Sequence, residues 1–331
     1  MGEINGPRPA FEIAGTAVSP GQRAELELRP ARLPSGGWMA IPVVVIHGRA
    51  DGPAVWLSAA IHGDEVGGVE IIRQVLRLID PSTLAGTLVA VPVVNVPGFG
   101  SGDRYMPDRR DLNRSFPGSA RGSLASRFAH VFMTDIVGPC SIGIDLHTGS
   151  DHRRNLPQVR ADLDDPETMA LAAAFAPRAA LHARLRDGSL REAAVSQGKR
   201  TLLYEGGEAW RFDSEAIDVG VAGVCRVLAH LDMIDRPAHI SAGKPPIRLR
   251  GSSWNRSPMS GVARVHAELG DTVEKGQPVA VVFDAIGSTE RVIRASRDGL
   301  VIGRSELPVV HRGDALVHIA FVDPMQPGTT P

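Results

Sequence analysis

Three apolar runs in this chain stop on groups that can hold a metal or move a proton. In "AAIHGDEVGG" His62 and Glu65 stand three apart, where an apolar run gives way to a helix-like stretch. "IGIDLHTG" ends its run on His147, and "TLLYEGG" ends on Glu205. Two imidazoles and one carboxylate are a known protein ligand set for a catalytic zinc, which keeps a further position for water. Four groups compete for three places, so spacing alone leaves the ligand set open. Asp145, two residues before His147, shares its side of a regular strand and suits a structural role or a supporting one equally. Glu208 lies close enough to Glu205 to be confused with it.

The stretch "RYMPDRRDLNRSFPG", residues 104 to 118, is too polar for a core element and falls between the halves of this candidate site. Arg114 beside Asn113 offers a planar fork and an amide, donors suited to a substrate carboxylate. Asp111 can accept a hydrogen bond from the outer nitrogen of a metal-bound histidine. No G-x-S-x-G elbow occurs, and Cys140 and Cys225 have no evident His/acid arrangement, which disfavours a serine or cysteine nucleophile. Without G-x-x-x-x-G-K-[ST], ATP is not implied. His152, His182 and His230 read as ordinary packing or surface residues, and Arg153-Arg154 as a solvated edge or a rim that draws anions.

These groups need strands to carry them. Residues 41 to 48, 54 to 61, 87 to 94, 140 to 147 and 201 to 205 are short apolar runs bounded by Gly, Pro or Asp and read as buried strands. Val69, Ile72, Val75 or Leu76, and Ile79 recur at helical spacing, as do Ile217, Val221, Val224, Leu228 and Leu231. Such alternation predicts an α/β layer around a mostly parallel sheet, with functional groups at the strand ends. A change of texture over 236 to 251 predicts a boundary, giving units of residues 1–240 and 241–331. The second unit contains a half-repeat: Gly261 and Gly276 are echoed by Gly299 and Gly313. Two hairpin-like halves of this kind predict a small β-sandwich resembling lipoyl and biotinyl carriers. Its joint, residues 283 to 294, has no lysine to carry a prosthetic group.

The 331 residues are 43% hydrophobic, enough to fill ordinary cores. With 36 basic against 37 acidic residues and 5% aromatics, no basic tract invites nucleic acid. No run is long enough for a membrane span and the start carries no leader pattern, so a cytoplasmic protein is expected. Two distant cysteines suggest neither a disulfide framework nor a thiolate zinc site. The oligomeric state is open, a homo-oligomer included.

In this order, H62-G-D-E65, D111-L-N-R114-S-F-P-G, D145-L-H147-T-G and Y204-E205-G-G resemble the succinylglutamate desuccinylase/aspartoacylase family, a branch of the zinc carboxypeptidase fold, which implies a mostly parallel or mixed sheet flanked by helices. The resemblance spans residues 40 to 235 and extends to the β unit behind them. It implies one zinc per chain on His62, Glu65 and His147, Glu205 as general base, and Asn113 with Arg114 holding the substrate carboxylate. It also implies an arginine that polarises the scissile carbonyl. Arg104, Arg109 and Arg110 compete for that role, and Arg104 is favoured because it precedes Tyr105. The implied activity removes an acyl group from a small N-acyl amino acid or amine. A metallocarboxypeptidase trimming a peptide C-terminus is the alternative within enzymes, and a metal-dependent binding protein without turnover the alternative outside them.

Overall fold

The computed structural model describes residues 8–322. The outer ends of the two expected units, and the first seven residues of the segment read for a leader, lie outside these. The described chain opens with a hairpin of β1 (Phe11–Ile13) and β2 (Thr16–Val18). β3 (Gln22–Arg32) has one wet face and pairs antiparallel with β4 (Trp38–His47). Strands and helices then alternate: β5 (Ala50–Ala59), α1 (Gly67–Leu78), β6 (Ala85–Val91), α2 (Val96–Ser101), α3 (Leu124–Phe132), β7 (Ile142–Gly149) and β8 (Arg153–Ala161). α4 (Pro166–Phe175), β9 (Ala179–His182), α5 (Leu190–Ser196), β10 (Arg200–Glu208) and α6 (Ser214–His230) complete this part.

The strands lie in the order β3-β4-β6-β5-β7-β10-β8-β9. The four central ones, β6, β5, β7 and β10, are mutually parallel, while β4 and β8 flank them antiparallel, so the sheet is mixed. Both faces are covered, which is why β5 and β7 read as continuous apolar runs rather than alternating ones. Val55, Leu57 and Ala59 pack into one core with α1, α4 and α6, whereas Trp56 points into a second with α3 and α5.

Close contact between α1 and the sheet is what brings the metal-type residues together. Gly68, in the first turn of α1, sits against the ends of β5 and β7, where a Cβ would lie 2.7 Å from Ala59 Cβ and 2.8 Å from Leu146 Cβ. Glu65, just before this turn, is thereby set over His147 of β7.

The C-terminal region is all β. It comprises β11 (Ile247–Arg256), β12 (Gly261–Val265), β13 (Thr272–Val273), β14 (Pro278–Phe283), β15 (Glu290–Arg294), β16 (Gly299–Ser305), β17 (Val309–Val310) and β18 (Ala315–Val322). Four of these strands form a separate sheet, β15-β14-β12-β17, and β13-β16-β18-β11 face it across a core that includes Val279, Val282, Val301 and Val317. The second set also continues the first sheet. β11 pairs parallel with β9, and β16 pairs antiparallel with β8, so twelve strands run unbroken across both regions. Leu300 and Ile302 of β16 point away from Val301 into a small core with Leu156, Leu181 and Leu249 that seals the seam. The glycines of the half-repeat occupy matching places. Gly261 and Gly299 start strands against a neighbouring carbonyl, and Gly276 and Gly313 take positive φ in the turns before β14 and β18.

Gly68→Ala should lower the unfolding free energy by about 1–3 kcal/mol, the usual cost of overpacking. Denaturant unfolding of the variant measures it, and an unchanged value would mean that α1 retreats freely from the sheet.

Candidate active site

His62 follows the end of β5 and Glu65 precedes α1. The turn between them leaves no room for a side chain at Gly63, where a Cβ would fall 2.1 Å from the carbonyl carbon of Gly98. His147 lies in β7, with Glu205 in register beside it on β10. The carboxylate of Glu65 is shared by the two imidazoles, Oε1 lying 2.7 Å from His62 Nδ1 and Oε2 2.8 Å from His147 Nδ1. Thr148 N–H donates to the same Oε2 at 3.1 Å. One ligand-type atom from each of the three buried residues lies within 4.8 Å of the others.

The outer nitrogens are occupied as well. His62 Nε2 is 3.2 Å from Asp111 Oδ1, and His147 Nε2 is 2.8 Å from Asp145 Oδ2. Ser58 of β5 donates to the other oxygen of Asp145 at 2.8 Å. A carboxylate behind each imidazole fixes its ring and aims Nδ1 inward. Burial disfavours charge on His147, but Asp145 and Glu65 outweigh it and raise its pKa well above the ordinary histidine value. His62 is raised by Glu65 and Asp111 against the same burial. Burial also opposes the charge of Glu65, yet the two histidines hold its carboxyl well below the usual range.

Arg104 spans the cluster, with Nη1 donating to Glu65 Oε1 and Nη2 to Asp111 Oδ2, both at 3.2 Å. Arg109 and Arg110 are exposed, and Arg110 is 3.8 Å from Asp108. Of the three competing arginines, Arg104 is the one beside the histidine pair. Asp111 also accepts from Asn113 N–H at 2.8 Å, which shapes the turn that presents Arg114. The amide oxygen of Asn113 accepts from Leu190 N–H at 2.9 Å and ties this turn to α5. Arg114 is exposed, and its guanidinium Nη1 donates to the carbonyl of Asn113.

Glu205 belongs to a neighbouring network. Asn155 Nδ2 donates to its Oε2 at 2.8 Å, and Arg160 Nη1 lies 3.3 Å from its Oε1. Sequence reasoning passed over both partners. The available signal was a set of polar residues, Asn155, Gln158 and Arg160, in a strand largely buried on both faces. It also passed over Asp64, which is 1% exposed and whose carboxylate oxygens have no hydrogen-bond partner among the described residues. Burial first, and Glu65 second, push the pKa of Asp64 up to about 6. The cysteines are buried free thiols, driven by burial to about 12 for Cys140 and about 11 for Cys225, which removes them as nucleophiles.

The family model of the succinylglutamate desuccinylase/aspartoacylase catalytic domain matches residues 51–231, more than half of the chain. The chain belongs to the succinylglutamate desuccinylase/aspartoacylase family. It is 30% identical over 299 residues to the N-alpha-acetyl-L-2,4-diaminobutyric acid deacetylase of Halomonas elongata, covering 86% of this chain and 87% of that one. A crystal structure of a succinylglutamate desuccinylase/aspartoacylase from Rhodobacter sphaeroides superposes with a TM-score of 0.80 at 26% identity, over 90% of this chain and 95% of that one. The ectoine utilization protein EutE (DoeB) of Ruegeria pomeroyi, solved with product bound, shares the fold with a TM-score of 0.81 at 24% identity, over 91% and 95% of the two chains. The mixed α/β layer with its all-β C-terminal region is thus the architecture of this family. Within the described residues, no helix is long and apolar enough to cross a membrane.

Asp64 provides a pH test of this electrostatic arrangement in metal-free protein. A carboxyl whose folded pKa is raised binds its proton more tightly when folded. Its charge therefore costs nothing below the unfolded value near 3.8 and its full penalty above about 6. Asp64→Asn should stabilise the fold by about 2–3 kcal/mol near pH 8 and change little near pH 4. Urea unfolding at the two pH values measures the difference, and equal shifts at both would show that the charge is not responsible.

Proposed function

We propose that this chain is a zinc-dependent amidohydrolase that releases the amine from an N-acyl amino acid, with residues 1–240 as the hydrolase unit and 241–331 as a β unit built onto it. The observation that carries the reading is the convergence of two imidazole Nδ1 atoms on one buried carboxylate, with a second carboxylate behind each ring. His62, Glu65 and His147 have the donor types of a catalytic zinc site, so the residues fit the ion, one per chain. When bound, zinc supplies a Lewis acid that acidifies water and polarises a carbonyl.

The chain's own groups complete the chemistry. Glu205 accepts the proton of the attacking water as the C–O bond forms, and returns it to the amine nitrogen as the C–N bond then breaks. Arg104, held beside Glu65, places a fixed positive charge where the carbonyl oxygen turns anionic. Arg114 grips the substrate carboxylate with both arms of its fork, and the NH2 of Asn113 sets the remaining angle. Asp111 and Asp145 keep the histidine rings in place. The long match to the Halomonas elongata deacetylase favours a short acyl group, acetyl first, on the α-nitrogen of an amino acid. Two buried, unpaired thiols suit the reducing cytoplasm. A peptide-trimming carboxypeptidase is less well supported, because β16 lies along β8 at Asn155 and walls the Glu205 side of the site.

The deciding experiment follows amine release from a panel of N-acetyl, N-succinyl and N-formyl amino acids, with N-α-acetyl-L-2,4-diaminobutyrate included. His147→Ala should lose zinc by elemental analysis while staying folded. Glu205→Gln should keep zinc and lose about 10²–10⁴-fold in kcat. Full zinc occupancy in the first variant, or near-normal turnover in the second, would reassign that residue.

Arg114 gives a separate test. Wild-type protein should strongly prefer a substrate with a free carboxylate over the same compound bearing a neutral amide, and Arg114→Ala should treat the two nearly alike. The loss on the acid substrate should be about 30- to several-thousand-fold in kcat/KM. A variant that keeps the wild-type preference would show that another group reads the carboxylate.

A further inference from the structure

Glu205 is held by an apparatus of its own, separate from the histidine pair. Each carboxylate oxygen has a partner: Asn155 Nδ2 donates to Oε2 at 2.8 Å, and Arg160 Nη1 forms an ion pair with Oε1 at 3.3 Å. Asn155 can reach because of an irregularity between β8 and β10. Gln158 pairs with Glu205 and Asn155 with Gly207, so three steps along β8 match two along β10. Cross-strand partners share a face, and the extra residue turns Asn155 onto the face of Glu205. Pro157, which cannot donate to a ladder, falls within the irregular stretch, where it is tolerated.

The other edge of β8 meets the β unit at the same residue. Asn155 is in register with Gly303 of β16, and a Cβ on Gly303 would lie 3.0 Å from Asn155 Oδ1 and 3.3 Å from His318 Cβ. The wall behind is firm, because Trp254 and His318 stack with ring centroids 4.4 Å apart and 12° between planes. A side chain at position 303 would therefore press on the Asn155 amide.

We infer that Asn155 is a positioning residue that orients Glu205 for proton transfer, and that Gly303 makes the C-terminal β unit a working part of the active site by leaving space for the Asn155 amide. This rests on Glu205 as the proton acceptor. An ion pair to Arg160 alone leaves the carboxylate free to pivot about one oxygen. The Asn155 N–H fixes the second oxygen and still leaves that oxygen a lone-pair direction for the incoming proton. An amide is suited to the task, since a carboxylate at 155 would repel Glu205.

The test is a double-mutant cycle on zinc-loaded, full-length protein with N-α-acetyl-L-2,4-diaminobutyrate as substrate. Asn155→Leu should lower kcat by about 10- to 100-fold, the worth of a hydrogen bond to a charged group, with zinc content unchanged and KM within about threefold. In the Glu205→Gln background the same substitution should cost less than about threefold, because the proton acceptor that Asn155 orients is already gone. An equal loss in both backgrounds would overturn the inference and leave Asn155 a structural residue. Glu205→Gln with near-wild-type kcat would instead overturn the base assignment, and the inference with it. Gly303→Ala, which alters no side chain of the site, should lower kcat severalfold in the wild-type background and add nothing to Asn155→Leu. An unchanged kcat would remove the β unit from the mechanism. Should Asn155→Leu fail to fold, Asn155→Ser, too short to reach Glu205, takes its place in the cycle.

Discussion

The carboxylate of Glu65, buried between two histidines, is the constraint on which the rest of this structure depends. A charged group at 2% exposure is tolerable only with charged and hydrogen-bonding partners close by. Here His62, His147, Arg104 and the Thr148 N–H take its two oxygens. Meeting that demand requires the end of β5, the start of α1 and the end of β7 to converge, so the helix must approach the sheet without side chains in between. Gly67 and Gly68 permit that approach. Positive charge drawn in by Glu65 is balanced in turn by Asp111 and Asp145, while Asp64 stays outside this set, its carboxylate without a hydrogen-bond partner among the described residues.

The same set explains how a metal would be accommodated. A divalent ion among these residues would replace the positive charge that the histidines carry when they face Glu65 as hydrogen-bond donors. Ligation needs neutral imidazole, so protons leave as the ion enters. Asp111 and Asp145 keep their places behind the rings in either case, because each bonds the nitrogen that does not face Glu65.

Much of this arrangement was legible in the sequence, for a physical reason. Strands buried on both faces must be written as continuous apolar runs, so a histidine or glutamate that stops such a run stands out. His62, His147 and Glu205 were found that way, and the helices bearing Val69 and Ile217 by their spacing. β8 escaped notice because its buried polar residues break the apolar pattern, and each finds its partner on a strand distant in the chain. Gln158, for instance, donates to the carbonyl of Ile302. Among Arg104, Arg109 and Arg110, Arg104 was favoured by its place before Tyr105, and it is the one that lies beside the histidine pair, the other two being exposed. The sheet was expected to be mostly parallel or mixed, but which strands run antiparallel was not legible, because the sequence of a strand does not state the direction of its neighbours.

The seam between the two regions was the least legible feature, and it has the widest consequence. A half-repeat with its own glycine turns reads as a unit that closes on itself, and its second sheet does so. The first sheet has an open edge, and an unpaired edge is a liability unless something covers it. β8 and β9 are covered by β16 and β11 through backbone pairing, with Leu156, Leu181, Leu249, Leu300 and Ile302 dry beneath. Separating the regions would expose two rows of backbone donors and acceptors together with this apolar layer. The α/β region therefore relies on the β region for its edge as well as for a wall. A shift of β16 along β8 would move the ladder that ends beside Asn155, so the register that seals the sheet also fixes the surroundings of Glu205.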